Sequence, residues 1–341
     1  LPRPGSHFSP KPPAAGPGEE AFTSTFGTLL PPANYINTEI GKAAYYTFPA
    51  ASPSNATATP SASTKNANVP KRVLLIHGVQ TPALGMLPLT RALQSKFPST
   101  HFALLDLWGH GLSDTPVLPH EGALFHTLID AVLDALRWKG EEGVGIVGFS
   151  FGAVLTMGYL TSQHHYAQAT HQGEEKGVRS FVLVAPAGLL KKSWFSPEQQ
   201  TWLSTSCPPE DEGKAADWVV STLEGGDLVV PEDWQERVQR GEVCAQAVKD
   251  WQIKQHSGHK ASVIGVFRDG GVIDNGELFV RAKAKGIPSV VVLGADDDLS
   301  TEEEISGFGF DVKVVSDAGH SVVRDRAEEV AEHIAEFWRG L

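Results

Sequence analysis

The sequence predicts an α/β protein: a mostly parallel sheet flanked by helices on both faces, with a mainly helical segment inserted late in the chain. Three observations carry that prediction. From Lys71 onward, short β-branched or aliphatic runs alternate with longer helical patterns, as expected for strands linked by crossover helices. The alternation stops after Pro186 and resumes only at Ile287, a gap of roughly 100 residues that is too long for a bare loop and reads as an inserted cap. Finally, Gly148-Phe149-Ser150-Phe151-Gly152 stands directly between a strand-like run and a helical one.

Residues 1–20 are crowded with proline and glycine and hold few apolar side chains, so they read as a flexible arm that cannot repay the entropy of ordering. Lys42–Phe48 is strand-like. Ala51–Asn68, rich in Ser, Thr, Ala and Asn, follows as a long surface loop and carries the glycosylation triplet Asn55-Ala56-Thr57, which matters only in a secretory compartment. The expected strands are then Arg72–Ile76, Phe102–Leu105, Val144–Gly148, Arg179–Val184, Ser289–Leu293 and Val312–Val315. Helical patterns cover Pro88–Phe97, Gly122–Trp138, Gly152–Ser162 and Arg326–Trp338; in the second of these, Leu124, Leu128, Ala131, Val132, Ala135 and Leu136 form one apolar face. Residues 187–286 look mainly helical, are punctuated by Pro197, Pro208, Pro209 and Pro231, and hold five of the eight tryptophans.

The 341 residues carry a net charge of −12, which disfavours a nucleic-acid partner. With 41% hydrophobic and 20% charged residues the chain can build a sizeable core. No window approaches the ~18 apolar residues of a membrane span, so a soluble protein is expected. Cys207 and Cys244 are too few for a disulfide scaffold and lack metal-ligand spacing; a single bridge between them is left open. Leu1 stands where a natural start would carry Met, which leaves room for a trimmed targeting segment. The cytoplasm is the expected compartment, with secretion as the alternative.

The chemistry is expected at Ser150. A Gly-x-Ser-x-Gly string arises by chance in about one chain in four of this composition, so its position at a strand-to-helix turn is what gives it meaning. A sharp turn there pushes the hydroxyl clear of the sheet and needs small neighbours. A serine hydroxyl is a weak nucleophile without a base, and His320 follows the last expected strand within Asp317-Ala318-Gly319-His320. The acid that orients it should follow Ser289–Leu293, where Asp296, Asp297 and Asp298 are consecutive. Charge developing on an attacked carbonyl oxygen needs backbone donors, expected from the amides of Phe151 and Val79. Gln80 and Phe149 flank these positions and, with Trp194 and Trp202 of the inserted segment, are expected to contact substrate. His110, between two glycines of Asp106-Leu107-Trp108-Gly109-His110-Gly111-Leu112-Ser113, reads as structural. Neither Gly-x-Gly-x-x-Gly nor a P-loop lysine follows the first parallel strand, so no nucleotide cofactor is expected. His164-His165 and the pair His256/His259 lack a partnering cluster, so no metal is expected.

At this point the chain resembles the α/β-hydrolase superfamily. The residues carrying the resemblance are His77-Gly78, Asp106-x-x-Gly-His-Gly-x-Ser113, Gly148-x-Ser-x-Gly152, Gly294-x-x-Asp297 and Gly319-His320, in order and at strand ends. The resemblance implies a mostly parallel eight-stranded sheet with a cap after the sixth strand. It also implies that the acid stands three residues after a strand-ending glycine, which selects Asp297. The expected organisation is therefore a 1–20 arm, a core from 21–186 and 287–341, and a 187–286 cap. Ser150 precedes the cap while Asp297 and His320 follow it, so one sheet must be completed from both sides. The expected activity is hydrolysis of an ester, thioester or lactone of a small apolar molecule through an acyl-enzyme on Ser150. A carbon–carbon bond hydrolase and a non-hydrolytic ligand receptor use the same residues and stand as alternatives. Dehalogenase and epoxide hydrolase chemistry, which in this superfamily use Asp, is disfavoured by the serine. The absence of His-Gly-Gly-Gly argues against the hormone-sensitive-lipase branch.

Overall fold

The computed structural model describes residues 1–51, 69–140, 142–162, 177–224 and 226–341. The expected 51–68 loop with its glycosylation triplet lies outside them from residue 52 on, as does His164-His165. Eight strands form one sheet: β1 (Asn34–Thr38), β2 (Gly41–Phe48), β3 (Arg72–Ile76), β4 (His101–Leu105), β5 (Val144–Phe149), β6 (Val178–Val184), β7 (Ser289–Gly294) and β8 (Val312–Val315). Their order is β1-β2-β4-β3-β5-β6-β7-β8. The pairings β1–β2 and β2–β4 are antiparallel, and every other pairing is parallel.

Alternation along these strands sorts side chains to the two faces of the sheet. Val73, Leu75, Phe102, Leu104, Val147, Val182 and Val184 enter one cluster, while Leu74, Ile76, Ala103, Leu105, Ile146, Phe181 and Leu183 enter the other. Both faces are dry, which is why the parallel strands read as unbroken aliphatic runs rather than alternating ones. The first face is covered by α1 (Glu19–Phe26), α2 (Leu87–Lys96) and, near the C-terminus, Ala327–Arg339. The second is covered by α3 (Gly122–Ala135), α4 (Phe151–Thr161) and part of the inserted segment.

Between β6 and β7 the chain forms α5 (Pro197–Trp202), α6 (Glu212–Glu224), α7 (Trp234–Gln239), α8 (Ala245–Gln255), α9 (His259–Asp269) and α10 (Gly276–Lys283). After β7 come α11 (Glu302–Gly307), α12 (Val322–Asp325) and α13 (Ala327–Arg339). The helical insertion after the sixth strand is therefore present. Inside it, Trp218 contacts Phe195 and Trp202 with ring centroids at 5.4 and 5.8 Å. Among the described residues no helix is long and apolar enough to cross a membrane.

Several expectations are corrected. Residues 1–18 form no helix, yet they do not hang free as a flexible arm. Arg3 forms a forked ion pair with Asp269, at 2.9 Å for Nη2 to Oδ1, and donates to the Ser204 carbonyl. Farther on, Ala14 pairs with Thr115, and the Gly16 amide donates to Asp114. The arm's last residues belong to α1, which the proline count concealed: Phe22 and Phe26 are buried against Trp251, with ring centroids at 5.5 and 5.8 Å. Burying each such ring contributes roughly 1.5–3 kcal/mol, enough to order a short segment of low propensity. β1 was also missed, because its residues are half-exposed and it is held at the sheet edge by its hairpin partner. Cys207 and Cys244 are both free.

Candidate active site

In an open parallel sheet a crevice forms outside the carboxyl ends of strands where the order of chain connection reverses. Here β3 has β4 on one side and β5 on the other. The loop after β3 and the turn after β5 meet at that point, and Ser150 sits in the turn. Its φ of 55° is unusual for a residue with a side chain, and its amide is held by the Val184 carbonyl at 3.0 Å. The flanking glycines are a steric requirement. A Cβ on Gly152 would run into the Ile76 carbonyl, and one on Gly148 into the Gly152 carbonyl. Gly78 abuts the serine from the other side: a Cβ there would lie 2.8 Å from Ser150 Cβ.

The ends of β7 and β8 supply the next two groups. Gly294 lets the loops after these strands touch, since a Cβ on it would overlap the Ala318 carbonyl. The Ala295 and Asp296 amides then donate to the carbonyls of Val315 and Ala318, both at 2.8 Å. This lacing sets Asp297 beside His320. His320 Nδ1 lies 3.1 Å from Asp297 Oδ2, and His320 Nε2 lies 2.9 Å from Ser150 Oγ. The carboxylate has no proton to give, so Nδ1 carries the imidazole proton and Nε2 is free to accept from the Ser150 hydroxyl. Asp297 is buried and also takes the Leu299 amide at 3.0 Å, whereas Asp296 and Asp298 are exposed. The following helix is capped by Thr301 in a capping box with Glu304. Geometrically, the three side chains can draw a proton from a hydroxyl and stabilise the resulting imidazolium.

The amides expected to face a developing oxyanion are both present beside Ser150. Phe151 begins α4, and Val79 follows Gly78. No acceptor among the described residues takes either N–H.

The four residues expected to touch substrate fare differently. The Phe149 ring is buried, with its centroid 5.2 Å from the His320 ring and the Arg324 guanidinium 5.6 Å from its centroid, so it supports the imidazole. Gln80 is buried and donates from Nε2 to the Val220 carbonyl of α6 at 3.3 Å, so its side chain joins core to insertion rather than facing a ligand. Trp202 packs on Trp218, and its carbonyl receives the Arg268 guanidinium. Trp194 is 54% exposed, with Lys191 Nζ 5.6 Å from its ring centroid. Packing within the insertion holds Trp202, and a surface lysine covers Trp194.

Around the motif after β4 the structure shows what the sequence read as structural. Buried Asp106 accepts from the Ala83 and Leu112 amides and the Tyr46 hydroxyl, while burial pushes its carboxyl up to about 6. Gly111, at φ 55°, leaves room for that carboxylate. His110 is fully buried, with Nδ1 donating to the Trp108 carbonyl at 3.0 Å and Nε2 accepting the Gln80 amide at 3.2 Å.

Sequence reasoning missed His110's neighbours. The ring centroids of His77 and His259 lie 5.2 and 4.9 Å from that of His110, and His256 stands 6.2 Å beyond His259. His256 and His259 therefore do belong to a cluster. Their nitrogens serve separate backbone carbonyls, those of Ser113 and Gly109, and no group of metal-ligating side chains occurs among the described residues. Burial lowers His77 to about 4 and His259 to about 3, so these rings are neutral at pH 7. No local signal in the sequence pointed to this row, because its members come from three separate segments.

The fold and site geometry define the class. The chain matches the alpha/beta hydrolase family over residues 73–333 and belongs to it. No curated protein matches it in sequence. Among solved structures it is similar to an enol-lactonase from Burkholderia xenovorans LB400, at 15% identity and a TM-score of 0.59 over 89% of this chain and 99% of that one. An esterase from Exiguobacterium antarcticum aligns at 14% identity and a TM-score of 0.58, over 90% of this chain and all of that one. A bromoperoxidase from Bacillus anthracis aligns at 15% identity and a TM-score of 0.59, over 90% and 99%. Identities this low speak to the shared fold, and one fold hosts many substrates.

Proposed function

We propose that the protein is a cofactor-independent serine hydrolase acting on an ester, thioester or lactone of a small, largely apolar molecule. The observation that carries this reading is the continuous path from the Asp297 carboxylate through His320 to the Ser150 hydroxyl. Ser150 Oγ attacks the substrate carbonyl carbon while its proton passes to His320 Nε2. The carbonyl π pair moves onto oxygen, where the amides of Val79 and Phe151 receive it. Collapse of that tetrahedral species breaks the bond to the alcohol, thiol or ring oxygen, which leaves with the proton from His320. Water then gives its proton to the same nitrogen as it attacks the acyl-serine, and the second tetrahedral species expels Ser150 Oγ, which takes that proton back from His320 as the acid is released.

The residues packed against Ser150, Gly78 and Phe149, are uncharged, which suits a neutral acyl group. The helical insertion would act as a cap that supplies the outer walls of the site. Labelling with a fluorophosphonate, followed by turnover of p-nitrophenyl esters of graded length and of lactones, tests the reading. Stoichiometric labelling that Ser150→Ala removes is the expected outcome. A native protein that is neither labelled nor active on any member of the panel would overturn it.

A further inference from the structure

Resting on that hydrolase reading, we propose that Gln252 and His110 are positioning residues: by holding both backbone polar groups of Gln80 they fix the neighbouring Val79 amide at Ser150, and through Gln252 the helical insertion holds the oxyanion loop. Gln80 has a φ of 70°, a backbone conformation that a residue with a side chain keeps only when its surroundings impose it. Two contacts impose it here. His110 Nε2 accepts the Gln80 N–H, and Gln252 Nε2 donates to the Gln80 carbonyl.

The orientation of both side chains is determined by their other partners. Gln252 Oε1 accepts the Gly111 amide at 2.7 Å, so its amide nitrogen has to face Gln80. His110 Nδ1 faces the Trp108 carbonyl and must carry the proton, so Nε2 can only accept. Gln252 and His110 are both fully buried, which excludes water as a substitute partner. Because His110 consumes the Gln80 N–H, that amide is not available to an oxyanion, whereas the neighbouring Val79 amide has no acceptor among the described residues. The loop turns tightly there, with the Thr81 amide on the Val79 carbonyl at 3.0 Å. Gln252 lies on α8 and is 172 residues from Gln80 in the chain.

Loosening Gln80 therefore weakens transition-state binding without weakening substrate binding. The purified full chain is assayed with p-nitrophenyl butyrate, and an alkyl trifluoromethyl ketone, which forms an oxyanion on Ser150, serves as inhibitor. Gln252→Met, which conserves volume, and His110→Ala should each lower kcat about tenfold to a hundredfold, leave KM within about threefold, and weaken the ketone in step with kcat/KM. His110→Gln, which keeps an acceptor, should recover most of the loss. A folded Gln252→Met with native kcat and native ketone affinity overturns the assignment, as does a loss confined to KM. Should that variant not fold, His110→Ala against His110→Gln decides alone, and equal loss in both overturns it. Fluorophosphonate labelling separates the two readings. A labelled native protein with unaffected variants removes only the positioning role, whereas an unlabelled and inactive native protein removes the hydrolase reading and this one with it.

Discussion

The Asp297 carboxylate lies 3.1 Å from Nδ1 of His320 with its side chain wholly out of solvent, while His320 keeps 29% of its side chain exposed. A half-buried imidazole is held by a fully buried anion, so the carboxylate sets both the tautomer and the ring orientation. Asp297→Asn should therefore lower kcat by about a thousandfold or more, since an amide in that place favours the wrong tautomer. Asp296→Asn and Asp298→Asn, at exposed positions, should stay within about threefold of native. Steady-state kinetics on one ester decides, and a large loss in Asp298→Asn with none in Asp297→Asn would reverse the assignment.

Gly152 leaves no space for a methyl group next to the Ile76 carbonyl. Gly152→Ala must push α4 away from β3, at a cost of about 1–3 kcal/mol in urea unfolding. The same shift moves the Phe151 amide, so the folded fraction should also lose activity. A variant with native stability and native turnover would contradict the packing described.

Acid should destabilise the fold. Burial lowers His77, His120 and His126 to about 4 and His259 to about 3, from an ordinary value of 6.5, and it holds His110 well below that value too. Their folded forms resist protons that the unfolded chain accepts. The stability they contribute is thus complete above pH 6.5 and is lost as pH falls toward 4, at up to about 1.4 kcal/mol per pH unit for each. Asp106, raised from 3.8 to about 6 by burial, works the other way over part of that range and offsets one of them. Urea midpoints should fall steeply from pH 7 to pH 5; a flat profile would refute the neutral buried imidazoles.

Arg3 and Asp269 join the start of the chain to α9 across 266 residues, and the Asp269 side chain is 6% exposed. Arg3→Ala leaves that carboxylate without its cation. Because Arg3 keeps 19% of its side chain in solvent, the cost should be about 1–2 kcal/mol, below that of breaking a fully buried pair. Hydrogen exchange should speed up in α9, while the sheet stays protected. Unchanged exchange in α9 would show that the pair holds nothing.

By itself the sequence determined the six parallel strands, the helices between them, and the chain order Ser150, acid, His320. Those features are local: a strand buried on both faces is an unbroken aliphatic run, and each site residue falls just past one. The edge strand β1 and the helix α1 escaped because their stability comes from partners elsewhere, the β2 backbone and the Trp251 ring. Only the tertiary structure tied Arg3 to Asp269, turned Trp194 toward solvent, and set Gln80 between His110 and Gln252. It also distinguished the three aspartates by burial, where the sequence needed a family resemblance to choose. Contacts between residues 30 to 266 positions apart leave no period or spacing in the chain; they follow from which surfaces the sheet and its insertion bring together.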